Sequence, residues 1–178
     1  IGYDKKNLYI AVRCFDSNPE AIRACLTKRD EVEGDDEVTI YLDTFNDKKR
    51  AFVFQVNPCG IQSDGIYTET QRRGRGRGFF GFDRNWDTFF LSDAHIDDSG
   101  YTIEMAIPFK SLRFPNTQSQ SWGLQIMRTI KRKNEEIGQG RNRRIDKLDT
   151  NYSSNRAGCL FYLRSKAEEK ESIDWTIL

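Results

Sequence analysis

Apolar and polar side chains alternate along much of this chain with a period of two residues. In residues 7–15 the apolar side chains of Leu8, Ile10, Val12 and Cys14 fall on every second position. Successive side chains of an extended strand point to opposite faces of a sheet, so these four residues share one face. We therefore predict a β-strand over this segment.

Two more strands and a tight turn are predicted towards the middle of the chain. Residues 38–42 alternate in the same way, and residues 51–57 are rich in β-branched and aromatic side chains. The Asn46-Asp47 pair between the two runs predicts a hairpin. Residues 57–60, Asn-Pro-Cys-Gly, have the chemistry of a type I turn, so a third strand is expected from Ile61.

The second half of the chain returns to strand-like patterns. We predict strands over residues 86–95, 101–107, 122–128 and 158–163, a helical turn over 109–112 and a long polar loop over 131–155. About seven or eight short strands with no long helix indicate an all-β fold, an antiparallel β-sandwich of the jelly-roll or immunoglobulin-like kind. The predicted domain covers residues 1–165, and residues 166–178 form a C-terminal tail or linker.

Residues 71–81 depart from this pattern, because arginines alternate there with glycines ahead of Phe79 and Phe80. Glycine-rich backbone is entropically costly to fix, so we predict a mobile loop that trypsin cuts first. Arg/Gly/Phe segments can bind single-stranded nucleic acid. A loop that contacts an acidic polysaccharide, a lipopolysaccharide or a neighbouring domain fits the rest of the chain better.

Composition narrows the classes of function. The 178 residues carry 28 Lys and Arg against 27 Asp and Glu, a formal net charge of +1. Nucleic-acid-binding domains have basic surfaces, so no nucleic-acid partner is expected. His95 is the single histidine, which nearly excludes catalytic triads and histidine-based zinc sites, and we do not predict an enzyme. No apolar run approaches the roughly 18 residues of a membrane-spanning helix.

The four cysteines are Cys14, Cys25, Cys59 and Cys159, and none of them forms a Cys-x-x-Cys motif. An even number of cysteines in a chain of this length is a weak sign of disulfides. Buried free thiols are the favoured interpretation, since unpaired cysteine behaves as a small apolar residue.

Five pieces of the sequence occur in an order and spacing similar to those of a known family. They are Tyr3-Asp4-x-x-Asn7-Leu8-Tyr9-Ile10-Ala11-Val12-Arg13, Asp36-x-Val38-x-Ile40-x-Leu42-Asp43-Thr44, Phe54-x-Val56-Asn57-Pro58-x-Gly60, the run from Gly100 to Leu112, and Trp122-Gly123-x-x-x-x-Arg128. Together they resemble the family 9 carbohydrate-binding modules, and more closely the family-9-like domain at the front of large bacterial envelope proteins. The resemblance covers roughly residues 3–163.

This resemblance implies a β-sandwich that binds a sugar without catalysis, outside the cytoplasm, in the periplasm, at the outer membrane or secreted. Members often assist glycoside hydrolases, and the expected partners are a carbohydrate and the rest of a larger envelope protein. Family members usually have an Asp-Gly-containing strand and a tryptophan ahead of the Asn-Leu-Tyr strand. This sequence starts after that point, so we expect this first strand, with possible ligand residues, to be missing or to lie on a segment outside this sequence. The alternative is a structural domain that docks onto a larger envelope protein and has no sugar site.

Trp86 is the main candidate for ligand binding. A pyranose stacks its C–H face on a flat aromatic ring, and Trp86 follows the Arg/Gly loop, where rings can reach solvent. The favoured alternative is that Trp86 closes one end of the sandwich as a core residue. Phe79 could also stack on a sugar, or could cover a sheet edge.

Three charged residues are further candidates for binding sugar hydroxyls. Arg128 would share an apolar face with Trp122, so it either pairs with a buried carboxylate such as Glu104 or Asp43, which is the favoured interpretation, or points into a ligand pocket. Arg29 and Asp30 lie in a mixed-charge cluster that suits hydroxyl recognition, although an ordinary solvated surface is favoured.

Calcium is a weaker candidate. Several aspartates near predicted turns offer the hard oxygen ligands that calcium prefers, as a structural ion. They are Asp35, Asp36, Asp43, Asp47 and Asp64. No loop with fixed ligand spacing accompanies them, so the sequence leaves the metal content open.

Overall fold

The computed structural model describes residues 1–68, 81–117, 120–138 and 159–161. These residues contain the strands β1 (Gly2–Tyr3), β2 (Asn7–Phe15), β3 (Glu37–Asp43), β4 (Arg50–Val56), β5 (Gln62–Thr68), β6 (Gly81–Asp83), β7 (Leu91–Asp97), β8 (Gly100–Pro108), β9 (Gly123–Ile130), β10 (Glu135–Gly138) and β11 (Cys159–Phe161). Their helical elements are the 3₁₀ turns Pro19–Ala21, Phe109–Ser111 and Lys131–Lys133.

The strands form two antiparallel sheets. One has the order β1-β2-β8-β7, with β11 also paired to β2, and the other has the order β10-β9-β3-β4-β5-β6. Leu8, Ile10 and Val12 of the first sheet and Val38, Ile40 and Phe54 of the second belong to one buried cluster. The predicted antiparallel β-sandwich is therefore confirmed, since alternate side chains of two sheets meet in one core.

Two predicted segments differ from the structure. Residues 86–90 are not part of a strand, and β7 begins at Leu91. Residues 131–138 are not loop, because a 3₁₀ turn leads to Asn134, whose left-handed φ of 53° reverses the chain into β10. Neither β1 nor β6 was predicted, since strands of two or three residues are too short to show alternation.

The other predicted strands are confirmed, including the closing one, which is β11. The predicted mobile loop lies outside the described residues except for Gly81, which begins β6. The proposed tail at residues 166–178 lies entirely outside them. No helix in the described ranges is long and apolar enough to cross a membrane.

The six-stranded sheet is buried on both faces. The face turned away from the core carries several buried polar side chains on β3, β5 and β9, beside the buried apolar residues Ala51 and Val53 of β4. Among them Thr39, Ser63, Thr129 and Glu37 are all less than 9% exposed. Gln55 donates hydrogen bonds of 3.4 Å to Glu37 and to Thr39, so polar side chains on this second buried face bond to one another.

Candidate functional site

Residues 84–90, which we call the crossing segment, connect the two sheets. They leave the six-stranded sheet after β6 and enter the five-stranded sheet at β7. Side chains from elsewhere hold this backbone in place. At Thr88, the N–H donates to Asp64 at 2.8 Å and the carbonyl accepts from Arg29 at 2.7 Å. The Phe89 carbonyl accepts from the Ser111 hydroxyl at 3.0 Å. The Phe90 carbonyl accepts from the Gln62 side-chain amide at 3.0 Å.

Trp86 lies near the start of the crossing segment and is partly buried. Its ring packs against Phe52 with centroids 4.9 Å apart, and meets Phe54 edge-on at 6.1 Å and 78°. The ring is therefore neither a closed core residue nor a free-standing platform. One part of it is fixed by aromatic packing, and the remainder is open to solvent.

Arg29 reaches the crossing segment from the loop between the first 3₁₀ turn and β3. Its guanidinium bonds to Gln62 and Asp64 and lies 5.5 Å from the centroid of the Phe90 ring. The Asp64 side chain is 1% exposed. Burial raises the pKa of Asp64, and the positive charge of Arg29 opposes that rise. Arg29 thus neutralises a carboxylate that the fold has removed from water.

Two exposed carboxylates flank Arg29. The Asp87 side chain is 78% exposed with Oδ1 3.4 Å from the guanidinium, and that of Asp30 is 49% exposed with Oδ2 at 3.9 Å. Asp30 has a left-handed φ of 70°, and its N–H donates to the Gln62 carbonyl at 2.9 Å. The start of β5 therefore holds the loop that carries Asp30, and both carboxylates face solvent beside Arg29.

A second solvent-exposed aromatic ring, which the sequence pattern did not predict, lies in the crossing segment. Phe89 is 62% exposed, although an alternating strand had been predicted through it. The signal against that strand is the run Phe89-Phe90-Leu91, in which three apolar residues follow one another without alternation. We name Arg29, Asp30, Trp86, Asp87 and Phe89 the Trp86 patch.

Arg128 does not belong to the Trp86 patch. It is 2% exposed and donates to the Phe15 carbonyl at 2.7 Å and to Asp16 at 2.9 Å. The expected pairing of Arg128 with a buried carboxylate is confirmed, but the partner is Asp16, and the expected partners Glu104 and Asp43 are wrong. Asp16 follows β2, and no local sequence pattern indicates that it reaches β9 across the sandwich.

Trp122 forms a second aromatic cluster, apart from Trp86. Its ring packs against Phe114 at 5.2 Å and Phe109 at 6.1 Å. It is partly buried and contacts the core, and its indole N–H donates to Gln120 at 3.1 Å. Trp122 therefore provides a matched comparison for Trp86, with the same side chain in similar packing.

The predicted calcium carboxylates do not converge. Asp36 accepts from the Lys131 N–H at 2.9 Å, and Asp43 from those of Phe45 at 3.1 Å and Lys48 at 2.8 Å. Asp47 accepts from the N–H of Lys49 two residues on. In the described ranges no three His, Cys, Asp or Glu side chains form a group that could hold a metal. Phe79 lies outside those ranges.

Two solved structures are similar to this chain. A candidate carbohydrate-binding protein from Bacteroides uniformis ATCC 8492 has a TM-score of 0.50 at 10% identity, covering 75% of this chain and 62% of its own. A family 9 carbohydrate-binding module from Caldicellulosiruptor kristjanssonii in complex with cellotriose has a TM-score of 0.41 at 14% identity, covering 76% and 59%. The chain thus spans less than two thirds of either structure.

Sequence comparison is more specific than these structural likenesses. No curated protein matches the chain. The family model described as carbohydrate family 9 binding domain-like matches residues 1–158. That match covers most of the 178 residues and confirms the resemblance seen in the five sequence pieces. The chain belongs to the carbohydrate family 9 binding domain-like family.

Proposed function

We propose that the chain binds carbohydrate without catalysis, and that the Trp86 patch receives the sugar. The observation that carries this proposal is the position of Trp86, a partly exposed indole supported by Phe52 and followed directly by the exposed carboxylate of Asp87. Membership of a carbohydrate-binding family supports the same conclusion.

The chemistry of the patch matches that of a pyranose. The apolar C–H face of the sugar stacks on an indole, while its hydroxyls need acceptors around the ring. Asp87 and Asp30 supply carboxylate oxygens, which lie 3.4 Å and 3.9 Å from the Arg29 guanidinium. Phe89 adds a second exposed ring three residues from Trp86.

We further propose that the chain works outside the cytoplasm as part of a larger envelope protein, as an accessory to polysaccharide breakdown. The support is the resemblance of the five sequence pieces to family-9-like domains of such proteins. Calcium is not part of the proposal, because no cluster of three or more potential ligand side chains in the described ranges could hold it.

The test is affinity electrophoresis against a panel of soluble polysaccharides, followed by calorimetry with oligosaccharides of any polysaccharide that retards the protein. We expect at least one to bind, and Trp86→Ala to weaken that binding at least tenfold. Trp122→Ala is the matched control and should leave the affinity unchanged.

A second variant guards against loss of folding in Trp86→Ala. Asp87→Ala removes a side chain that is 78% exposed, so it should weaken binding without altering thermal unfolding. Absence of binding to the whole panel at millimolar concentrations would overturn the proposal.

That outcome would favour the alternative, a docking domain without a sugar site. A docking domain is supported by two exposed apolar side chains that lie close together in the chain. Phe89 is 62% exposed and Leu91 is 59% exposed. Exposed apolar patches commonly mark surfaces that contact another protein. A glycan that binds, but equally well to Trp86→Ala, would instead move the sugar site away from this patch.

A further inference from the structure

Cys25 and Cys59 are far apart in sequence, yet one side chain holds both. Cys25 lies in the loop ahead of β3, and Cys59 in the turn between β4 and β5. The Asn57 amide donates from Nδ2 to the Cys25 carbonyl at 2.9 Å and accepts at Oδ1 from the Cys59 N–H at 3.0 Å. Asn57 is completely buried, so this bridge between the two backbones is fixed.

Asp35 places the two thiols in a common environment. Its Oδ2 accepts from the Cys25 N–H at 3.1 Å and from Asn57 Nδ2 at 2.8 Å. A hydrogen bond from the Cys25 thiol to Asp35 raises the pKa of that thiol, and the nearby Cys59 adds to the rise. Burial, and then the charge of Asp35, raise the pKa of Cys59. The backbones of both cysteines are therefore tied, through Asn57, to one buried carboxylate.

Both thiols are free and within reach of solvent. Cys25 is exposed and Cys59 partly so, whereas Cys14 is buried in the core. The backbone register of β2 and β11 places Cys14 directly opposite Cys159. The four cysteines thus fall into two spatial pairs, although their sequence spacing shows no pairing.

We propose that Cys25 and Cys59 form an intramolecular disulfide by exchange with a small disulfide such as oxidised glutathione. One thiol loses its proton, and its thiolate attacks the glutathione disulfide to give a mixed disulfide and one glutathione thiolate. The second cysteine, also deprotonated, attacks the protein sulfur of the mixed disulfide and releases the second glutathione. The cysteines lose two electrons and two protons in total, and one glutathione disulfide becomes two glutathione thiols.

The bond would tie the loop that carries Arg29 to the β4–β5 turn. With free thiols, this loop and this turn are connected by polar contacts, including the hydrogen bonds of Asn57. A covalent link across residues 25–59 restricts the unfolded chain and so stabilises the fold. The raised thiol pKa values make thiolate scarce at neutral pH, so the bond should form faster as the pH rises towards about 9.

The test is incubation of the full chain in a glutathione redox buffer, alkylation of remaining thiols, and peptide mapping without reduction. We expect a peptide pair joined through Cys25 and Cys59 in the monomer. Adding dithiothreitol should lower the midpoint of thermal unfolding by roughly 5–15 °C.

Variants separate this bond from the other cysteine pair. Cys25→Ser and Cys59→Ser should each abolish the joined peptides, while the control Cys14→Ser should keep them. Mapping of the wild-type chain decides the matter even if a variant fails to fold. Alkylation of both Cys25 and Cys59 without prior reduction, or linkage of either to Cys14 or Cys159, would overturn the proposal.

Discussion

Arg29 and Asp64 form an ion pair in which the carboxylate side chain is 1% exposed and the guanidinium side chain 35%. The second carboxylate oxygen of Asp64 accepts the Thr88 N–H at 2.8 Å. Asp64 therefore joins two chain segments that have no strand pairing with each other, the Arg29 loop and the crossing segment. Asp64 is therefore one of the side chains that place the Trp86 patch, and the one that contacts both of these segments.

Asp64→Ala should lower the free energy of unfolding by about 2 kcal/mol. The change leaves Arg29 and the Thr88 N–H without their buried acceptor, and partial exposure of Arg29 keeps the loss below that of a fully buried pair. Urea titration measures the loss. Asp87→Ala, the exposed comparison, should change stability by less than about 0.5 kcal/mol. Equal effects of the two substitutions would contradict this role for Asp64.

Trp86→Ala should lower the free energy of unfolding by about 2–3 kcal/mol, because a partly buried ring loses less than a core aromatic does. Phe54→Ala is the reference, since Phe54 is 0% exposed and contacts the same ring. It should cost about 3–5 kcal/mol. If the two substitutions cost the same in a denaturant titration, Trp86 is a core residue and offers no platform.

Gly65→Ala should destabilise the six-stranded sheet by about 1–3 kcal/mol. A Cβ at this position would lie 2.7 Å from the Asp83 carbonyl oxygen and 2.7 Å from the Phe82 ring, so β6 would have to move. In the same sheet, Gly138 would place a Cβ no closer than 3.5 Å to any atom, and Gly138→Ala is the control. Similar melting temperatures for the two variants would show that β6 moves freely.

Stability should fall as the pH rises from about 4.5 to about 7, because burial raises the pKa of Glu37 from 4.5 to about 7. The folded state then binds a proton more tightly than the unfolded state, so raising the pH through this window favours unfolding. A shift of one pKa unit corresponds to about 1.4 kcal/mol, so Glu37 contributes up to about 3 kcal/mol to the pH-dependent loss of unfolding free energy. Glu37→Gln should remove this contribution.

Chemical denaturation at several pH values measures that decline. Glu20→Gln changes an exposed carboxyl in a 3₁₀ turn and should leave the pH profile as it is in the wild type. A Glu37→Gln profile parallel to that of the unchanged chain would show that Glu37 ionises normally.

Alternation was sufficient to predict the strands that build the core, because each buries one face and leaves a clear period of two. Leu8, Ile10 and Val12 were assigned to one face for this reason, and all three are in the core. The same rule failed at Phe89 and Phe90. Their backbone is held by the side chains of Ser111 and Gln62, and such long-range contacts leave no local pattern.

The candidate site was only partly predictable for the same reason. Trp86 and Arg29 could be nominated by residue type, but their approach depends on Asp64 and on the path of the crossing segment. Arg128 shows the converse case. Its burial followed from its place on β9, while its partner Asp16, 112 residues away, could be found only in the folded chain.

The crossing segment differs from its flanking strands in how a single substitution acts on it. A strand shares its hydrogen bonds with neighbouring backbone, which every residue type except proline supplies. Several backbone groups of the crossing segment instead depend on Asp64, Arg29, Ser111 and Gln62. Point mutations at these positions can therefore tilt or shift the Trp86 ring while both sheets stay paired, so the proposed binding surface can change shape without loss of the sandwich.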